Sequence, residues 1–323
     1  MKQTPTIKRA LITGITGMDG SHLADLLVSK GYEVHGTKRH TATDNTENIK
    51  HLLKDDRITL HDADLSDYGS LFNVIQKVRP HEIYNLAAQS HAGISFRVVE
   101  NSLDVDGVAV GRILEIIRQI DPAIRMFQAS TSEFLDSSAP IPWNESTPIL
   151  PDNPYGIGKA GAHYLIRLYR KAYGLYVCAG IMFNHESERR GETFVTRKIT
   201  RAVARIKRGE QKELLLGNIE ARRDWGYAPE YCEAMWRMLQ QEKPKDYVIS
   251  TGETHSVREW LEASFESVGL DPYKFYKEDA RFMRPSDIPA IQGDSSLIKK
   301  ELGWEAKTKF KDLIKIMVEA DLK

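Results

Sequence analysis

Residues 9–13 (RALIT) form a short apolar run that enters a glycine cluster, TGITGMDG, over 13–20; Leu23, Leu26 and Leu27 then recur at helical spacing as far as Gly31. This pattern constrains the fold more than any other in the chain. A strand that passes through glycines straight into a helix is the opening of a crossover unit, and repetition of that unit builds a parallel sheet. The unit repeats. Val34–Gly36 reads as a second strand, and further strands fall near 58–60, 82–87 (EIYNLA) and 126–130. Helical patterns near 69–78 and 106–119 separate them, and a long helix over 153–173 leads to a strand over 177–183. The alternation predicts an α/β fold, a Rossmann-type doubly wound parallel sheet.

After Asn184 the rhythm changes. The polar, Arg-rich run HESERRGETFVTRKITRAVARIKRG passes into a helix with Val195, Ile199, Val203 and Ile206 on one face. Arg197, Arg201, Arg205 and Arg208 form a second stripe, read as mostly surface or interface charges. Helices are expected near 230–241, 256–268 and 308–319, the middle one opened by a capping box of Ser256 and Glu259. The strand 246–250 (DYVIS) is expected to rejoin the sheet. The expectation is a dinucleotide-binding domain over 1–184 and a smaller, mostly helical substrate domain over 185–323, interleaved with it. A length of 323 residues suits that arrangement.

Charge narrows the function classes. Lys plus Arg number 45 and Asp plus Glu number 45, so the basic excess of a general nucleic-acid binder is missing. No apolar run approaches the ~20 residues of a membrane helix. Met1–Arg9 is polar and lacks a signal core, so a cytoplasmic location is expected. Two cysteines, Cys178 and Cys232, make no disulfide framework, and no Cys/His pair has zinc-ligand spacing, so no metal is expected.

Gly14, Gly17 and Gly20 follow a strand and open a helix, the context in which a glycine pattern reads as a dinucleotide site. Absent side chains let backbone approach a pyrophosphate, whose charge the helix N-terminus favours. The competing reading is a tight turn without a ligand. Where an NAD site carries an acid, this chain has Lys38, Arg39 and His40, and a guanidinium suits the 2′-phosphate of NADP. Asp64-Leu65 follows the third strand, where an adenine edge could rest. Leu86-Ala87-Ala88 follows the fourth, where small side chains would let ribose and nicotinamide lie close.

Residues 130–133 read STSE at the end of the fifth strand, and NPYGIGK places Tyr155 and Lys159 four apart on one helix face. A nearby ammonium lowers a phenol's pKa, which makes Tyr155 a candidate base for a sugar hydroxyl. The competing reading is an exposed helix pair.

At these motifs the sequence resembles the extended short-chain dehydrogenase/reductases, and within them the GDP-mannose 4,6-dehydratases. The stretches that carry the resemblance are TGITGMDGSHLADLL, YNLAAQSHAGISF, DVDGV, QASTSE, FNHESERRGETFVTRKITRAVARI, LGNIEARRDWGYAPEY, YVISTGETHSVREW and a late LGW. They cover nearly the whole chain, and the run from Phe183 to Ile206 is the most specific. The resemblance implies a redox-neutral dehydration with NADP, in which hydride leaves C4 of the sugar and returns at C6. Tyr155 would deprotonate the 4-hydroxyl, and Glu133 would take the C5 proton and help expel the 6-hydroxyl. Thr131 would bond near the 4-oxygen, Ser132 would assist, and Lys159 would hold the nicotinamide ribose. Thr16, Met18, Asp19, Ser90, His185 and Arg190 would join the cofactor site. Asn184, Lys198, Arg223, Arg284 and Asp287 would hold the GDP-sugar. The Arg-rich loop would reach a neighbouring subunit, which implies a homo-oligomer, a dimer or a tetramer.

Several positions depart from the family pattern. Phe134-Leu135-Asp136 stands where a hydrophobic residue and Tyr-Gly usually follow the glutamate, and Asn101 replaces a tyrosine. His40 replaces an arginine, Asp287 a glutamate, Met18 a glutamine and His22 a tyrosine. The alternatives are therefore a GDP-manno-heptose as substrate, a related reductase or epimerase, or a non-catalytic NADP sensor; the last would be expected to lack Tyr155, Lys159 or Glu133.

Overall fold

Val177–Met182 is buried at every position, as a strand covered by helices on both faces must be. In the computed structural model, which describes residues 7–43, 45–283 and 288–323, this strand is β6. The order before it is β1 (Arg9–Thr13), α1 (Met18–Ser29), β2 (Glu33–Lys38), β3 (Ile58–Asp62), α2 (Tyr68–Val78) and β4 (Glu82–Asn85). Then come α3 (Ala92–Ser95), α4 (Val99–Leu103), α5 (Ala109–Ile120), β5 (Arg125–Thr131) and α6 (Pro154–Tyr173). After β6 follow β7 (His185–Glu186), α7 (Val195–Lys207), β8 (Leu214–Leu216), β9 (Arg222–Arg223), β10 (Gly226–Tyr227) and α8 (Ala228–Leu239). The chain ends with β11 (Tyr247–Ile249), β12 (His255–Ser256), α9 (Val257–Glu266), β13 (Tyr276–Glu278), α10 (Ser296–Leu302) and α11 (Phe310–Leu322).

Seven strands form one sheet in the order β11-β6-β5-β4-β1-β2-β3. β1 pairs parallel with β2 and β4, β2 with β3, and β4 with β5. The chain builds outward from β1 to β3 and then returns to the other side of β1, so the winding reverses between β1 and β4. In open α/β sheets the crevice beyond the strand ends at that reversal is where ligands bind. The strand expected at 246–250 takes its place in the sheet as β11.

The chain divides into two compact units: residues up to Phe134 with Ile149–Ile181 and Cys232–Tyr247, and Leu135–Pro148 with Met182–Tyr231 and Val248 onward. In the first, Leu11, Ile83, Met126 and Val177 of the sheet pack with Leu71 and Ile75 of α2, Ile113 and Ile117 of α5 and Ile166 of α6. Ile113 is fully buried, and its truncation to alanine costs about 2–5 kcal/mol. α6 starts where Asn153 caps it with Pro154 in the first turn and stops at Gly174 in the left-handed region. The single helix expected over 106–119 is instead α4, a π-helical turn over Asp104–Val108, and α5. Such a turn inserts a residue and re-aims its neighbours; Asp106 within it is buried.

In the second unit α7, α9 and α11 bring Ile199, Val203 and Ile206 against Trp260, Leu261 and Phe265 and against Leu313, Ile314 and Met317. The capping box of Ser256 and Glu259 is present. The arginine stripe differs from expectation at Arg197. That residue is 8% exposed, and it forms an ion pair with Asp321 of α11 at 2.9 Å, because a charge facing a helix packed on its own helix must find a partner. Among the described residues no helix is long and apolar enough to cross a membrane.

Candidate functional site

The turn after β1 is crowded down to the backbone. Gly14 has φ +70°, and a Cβ there would lie 3.0 Å from Ala87 Cα; a Cβ on Gly20 would lie 2.3 Å from the Gly14 carbonyl. The Gly17 N–H donates to that carbonyl at 3.0 Å, and Gly17 caps α1 without a side-chain hydrogen bond. Met18 is buried, Asp19 lies in the first turn of α1, and the Thr16 carbonyl accepts from Asn48 Nδ2 at 3.1 Å. This cradle, with the amide end of a 12-residue helix, can hold a dinucleotide pyrophosphate. Thr13 Oγ1 accepts from the N–H groups of Leu86 and Ala87 at 3.1 Å, which fixes the loop after β4 beside the glycines. Leu86, Ala87 and Ala88 are half-buried there, and Ser90 is exposed.

At the end of β2, Lys38 bonds Asp62 at 3.0 Å and His40 lies 3.9 Å from the same carboxylate. Arg39 and His40 are exposed. Beyond β3, Leu65 is buried. Burial opposes charge on Asp64, but hydrogen bonds from Ser66, helped by Arg39, hold its carboxyl below the usual range.

A buried polar chain crosses the strand ends. Thr13 Oγ1 donates to Asn85 Oδ1 at 2.6 Å, and Asn85 Nδ2 donates to Gln128 Oε1 at 2.7 Å. Gln128 Nε2 donates to the Ala129 carbonyl at 2.8 Å, and Lys159 Nζ donates to the same carbonyl at 2.9 Å. The glycine turn and Lys159 are thus referenced to one another through β1, β4 and β5.

The sequence candidates Thr131, Ser132, Glu133, Tyr155 and Lys159 lie at the end of β5 and the start of α6. Thr131 and Ser132 are buried, and Thr131 Oγ1 accepts from the Glu133 N–H at 3.1 Å, which turns the chain into the 3₁₀ segment Ser132–Phe134. Glu133 is half-buried, and its Oε2 accepts from Asn153 Nδ2 at 3.0 Å. Gly156 permits the approach: a Cβ there would lie 2.5 Å from the Glu133 carbonyl. Tyr155 is 9% exposed and Lys159 2%, with Lys159 Nζ 5.7 Å from the Tyr155 ring centre.

Two residues of this cluster were not read as site residues from sequence. Asp106 is 1% exposed; its Oδ1 lies 3.9 Å from Lys159 Nζ and accepts from the Gln89 N–H at 3.0 Å. Burial pushes Asp106 up to about 6, against the opposing pull of Lys159 and the Gln89 N–H. Burial also draws Lys159 below the ordinary ammonium range, and Asp106 resists it. Asp106 stands in DVDGV and Asn153 opens NPYGIGK; only their spatial partners distinguish them.

The second unit carries the other candidates. Asn184 accepts from the Gly226 N–H at 2.9 Å through its carbonyl. His185 Nδ1 lies 2.8 Å from the Phe183 carbonyl, and its ring stacks on Tyr231 at 4.5 Å. Arg190 pairs with Glu186 at 3.1 Å and lies over the Phe194 ring. Lys198 lies 3.4 Å over the Phe282 ring, and burial lowers its pKa against Asp279. Arg223 is buried and donates to the Arg222 and Ile288 carbonyls at 2.8 Å. Beside it, Asp224 accepts from Thr251, Gly252 and Gly293, and burial pushes it up to about 6. Arg284 and Asp287 lie outside the described residues.

The sequence matches the profile of a family described as GDP-mannose 4,6 dehydratase over residues 11–317. GDP-mannose 4,6 dehydratase 1 of Arabidopsis thaliana is 49% identical over 325 residues, covering 98% of this chain and 90% of that protein. The Homo sapiens GDP-mannose 4,6 dehydratase is 44% identical over 338 residues, covering 97% and 91%. Among solved structures, the UDP-glucose 4-epimerase of Thermotoga maritima with UDP-glucose shares the fold at a TM-score of 0.85 and 24% identity, over 97% of this chain and 98% of that one.

Proposed function

The chain belongs to the GDP-mannose 4,6-dehydratase family, and from that premise we propose how its residues perform the family's reaction. It is a hydro-lyase that converts GDP-mannose to the GDP-4-keto-6-deoxy sugar. The observation that carries the mechanism is the joining of Glu133 to the start of the Tyr155 helix through Asn153 and Gly156. An oxidation or epimerisation at C4 needs a tyrosine and a lysine; loss of water across C5 and C6 needs a carboxylate beside them.

Tyr155 is the base that removes the 4-hydroxyl proton, and Lys159, held on the Ala129 carbonyl, supports its phenolate. A threonine hydroxyl has one donor and two acceptor sites, so Thr131 can accept from the Glu133 N–H and still donate to the 4-oxygen. Ser132 assists beside it. Glu133 takes the proton from C5, made acidic by the adjacent ketone, and delivers it to the departing 6-oxygen as water. A bound nicotinamide would supply the acceptor for the C4 hydride and its return at C6, with a solvent proton completing C5.

The glycine turn fits that cofactor, because its backbone crowding leaves amides rather than side chains to face an anion. Gly14, Thr16, Gly17, Met18, Asp19 and Gly20 would hold the pyrophosphate, and Asp64, Leu65, Leu86, Ala87, Ala88 and Ser90 the rest of the dinucleotide. The cofactor is NADP rather than NAD: Arg39 is exposed after β2, and Lys38, Arg39 and His40 stand where an NAD site carries an acid. His185 and Arg190 complete the cofactor site, and Asn184, Lys198, Arg223, Arg284 and Asp287 take the GDP-sugar, with residues 185–323 as the substrate domain.

Mannose, rather than a heptose, suits the loop after Glu133. Phe134 and Leu135 are buried and Asp136 is engaged by Ser138 N and Oγ, so these departures serve packing and a turn. A homo-oligomer is supported by Val99, Leu103 and Val108 and by Ile157, Tyr164 and Leu168 of α6, all large apolar residues exposed on the first unit. GDP-mannose labelled with deuterium at C4 tests the reaction: the label should appear at C6 of a product lighter by one water, without added reductant. Release of unlabelled product, or label retained at C4, contradicts it.

A further inference from the structure

We propose that Asn153 is a positioning residue for the elimination step: its amide holds the Glu133 carboxylate while its oxygen starts the helix that carries Tyr155. The inference rests on the reading of Glu133 as the group that takes the C5 proton.

Asn153 is 7% exposed, with extended backbone, φ −149° and ψ 158°, at the N-cap of α6. Its Oδ1 accepts from the Gly156 N–H at 2.8 Å, and its Nδ2 donates to Glu133 Oε2 at 3.0 Å. An amide offers acceptor and donor at opposite ends. Gly156 presents a hydrogen and the carboxylate presents lone pairs, so both partners require the same orientation of the side chain. The assignment of oxygen and nitrogen is therefore set by chemistry at both ends.

Capping alone does not explain asparagine here. Serine and aspartate cap helices as well as asparagine does. A serine has one oxygen on a short stem and cannot span from the Gly156 N–H to the carboxylate. An aspartate would cap, yet would turn a second negative charge on Glu133. Asparagine is the residue that caps and donates.

The consequence is mechanical. The same side chain is referenced to α6 and to Glu133, so the distance between the Tyr155 base and the carboxylate is set by one rigid amide. The bond from Nδ2 to Oε2 also fixes which carboxylate oxygen the amide engages. The C5 proton leaves to Glu133 as the C5–H bond breaks, and it departs with the 6-oxygen as the C6–O bond breaks. An unsupported carboxylate would meet neither bond in the same geometry.

The test compares Asn153→Asp and Asn153→Ser with the unmodified protein in three readouts: thermal midpoint, kcat with GDP-mannose, and 4-keto hexose accumulating before water is lost, detected by mass in quenched turnover. Both variants should keep the thermal midpoint, because both cap. In both, kcat should fall about ten- to a hundredfold, the scale of a catalytic group displaced by an ångström, with 4-keto hexose accumulating. Parent kcat in both variants overturns the proposal. So does a fall in thermal midpoint with equal loss of oxidation and elimination, which is the signature of a cap and nothing more. If Glu133→Gln dehydrates normally, the role of Glu133 falls and takes the proposal with it, an outcome distinct from insensitivity of Asn153 alone.

Discussion

Lys159 Nζ lies 3.9 Å from Asp106 Oδ1, and neither residue is more than 2% exposed. The pair places a carboxylate beside the ammonium that, on the proposed mechanism, serves Tyr155. Burial alone would drive Lys159 toward its neutral form, and Asp106 opposes this. Removing one partner of a buried pair is strongly unfavourable, because it leaves the other charge unsupported.

The pH dependence of that pair has a definite sign. Asp106 is raised to about 6 in the folded chain from an ordinary 3.8, so the folded state holds more protons than the unfolded one between those values. Its contribution to stability is fully present below about pH 4 and is lost as pH rises through about 6. Asp106→Asn removes this titration. The stability of the variant relative to the parent should therefore rise between pH 4 and 7, by roughly 2–3 kcal/mol at one pKa unit per ~1.4 kcal/mol. Urea midpoints across that range measure it; parallel curves for the two proteins would show that Asp106 does not titrate there.

Tyr155→Phe should abolish turnover and spare cofactor binding. On the proposed mechanism the phenol acts on the sugar, whereas the glycine turn and Lys159 are referenced to each other through Asn85 and Gln128 without it. Loss of a positioned base costs about two to four orders of magnitude. Product formation with GDP-mannose and NADP titration by intrinsic fluorescence separate the two effects. Turnover close to that of the parent would remove Tyr155 from the chemistry.

Much of this geometry was readable in the residues, and the reason differs from place to place. The helix expected over 153–173 is α6, Pro154–Tyr173, because asparagine before proline and a late glycine are local signals. The strand expected over 126–130 is β5, Arg125–Thr131, because a short run between two helical patterns in an alternating chain has few other fates. The π turn over Asp104–Val108 was not readable, since helical periodicity does not register one inserted residue. Asp106, Asn153 and Arg197 escaped because their roles depend on Lys159, Glu133 and Asp321, partners brought close only by the fold.

Arg39→Ala should narrow the preference for NADP over NAD. Asp62 already holds Lys38, so the planar fork of Arg39 is the group suited to a 2′-phosphate. A charge-assisted contact contributes about 1.5–3 kcal/mol, which corresponds to a preference reduced by roughly ten- to a hundredfold. Competition between the two cofactors, measured in parent and variant, reads the change directly. Equal affinity of the parent for both would refute the assignment of Arg39.

Glu133→Gln separates dehydration from simple oxidation, because two protons are moved by two different groups. On the proposed mechanism Tyr155 takes the 4-hydroxyl proton, and Glu133 takes the C5 proton. The amide keeps the size of the carboxylate but has no basic oxygen, so the first transfer survives and the second does not. The helix start should hold as well, since the cap bond from the Gly156 N–H to Asn153 Oδ1 does not involve Glu133. Dehydrated product should form about two to four orders of magnitude more slowly, while 4-keto hexose accumulates on the enzyme. In deuterium oxide the parent should place solvent deuterium at C5 and the variant should return almost none. A variant that releases 4-keto-6-deoxy sugar at the parent rate would assign the elimination to another residue, and a variant that loses cofactor affinity instead would make Glu133 a structural acid.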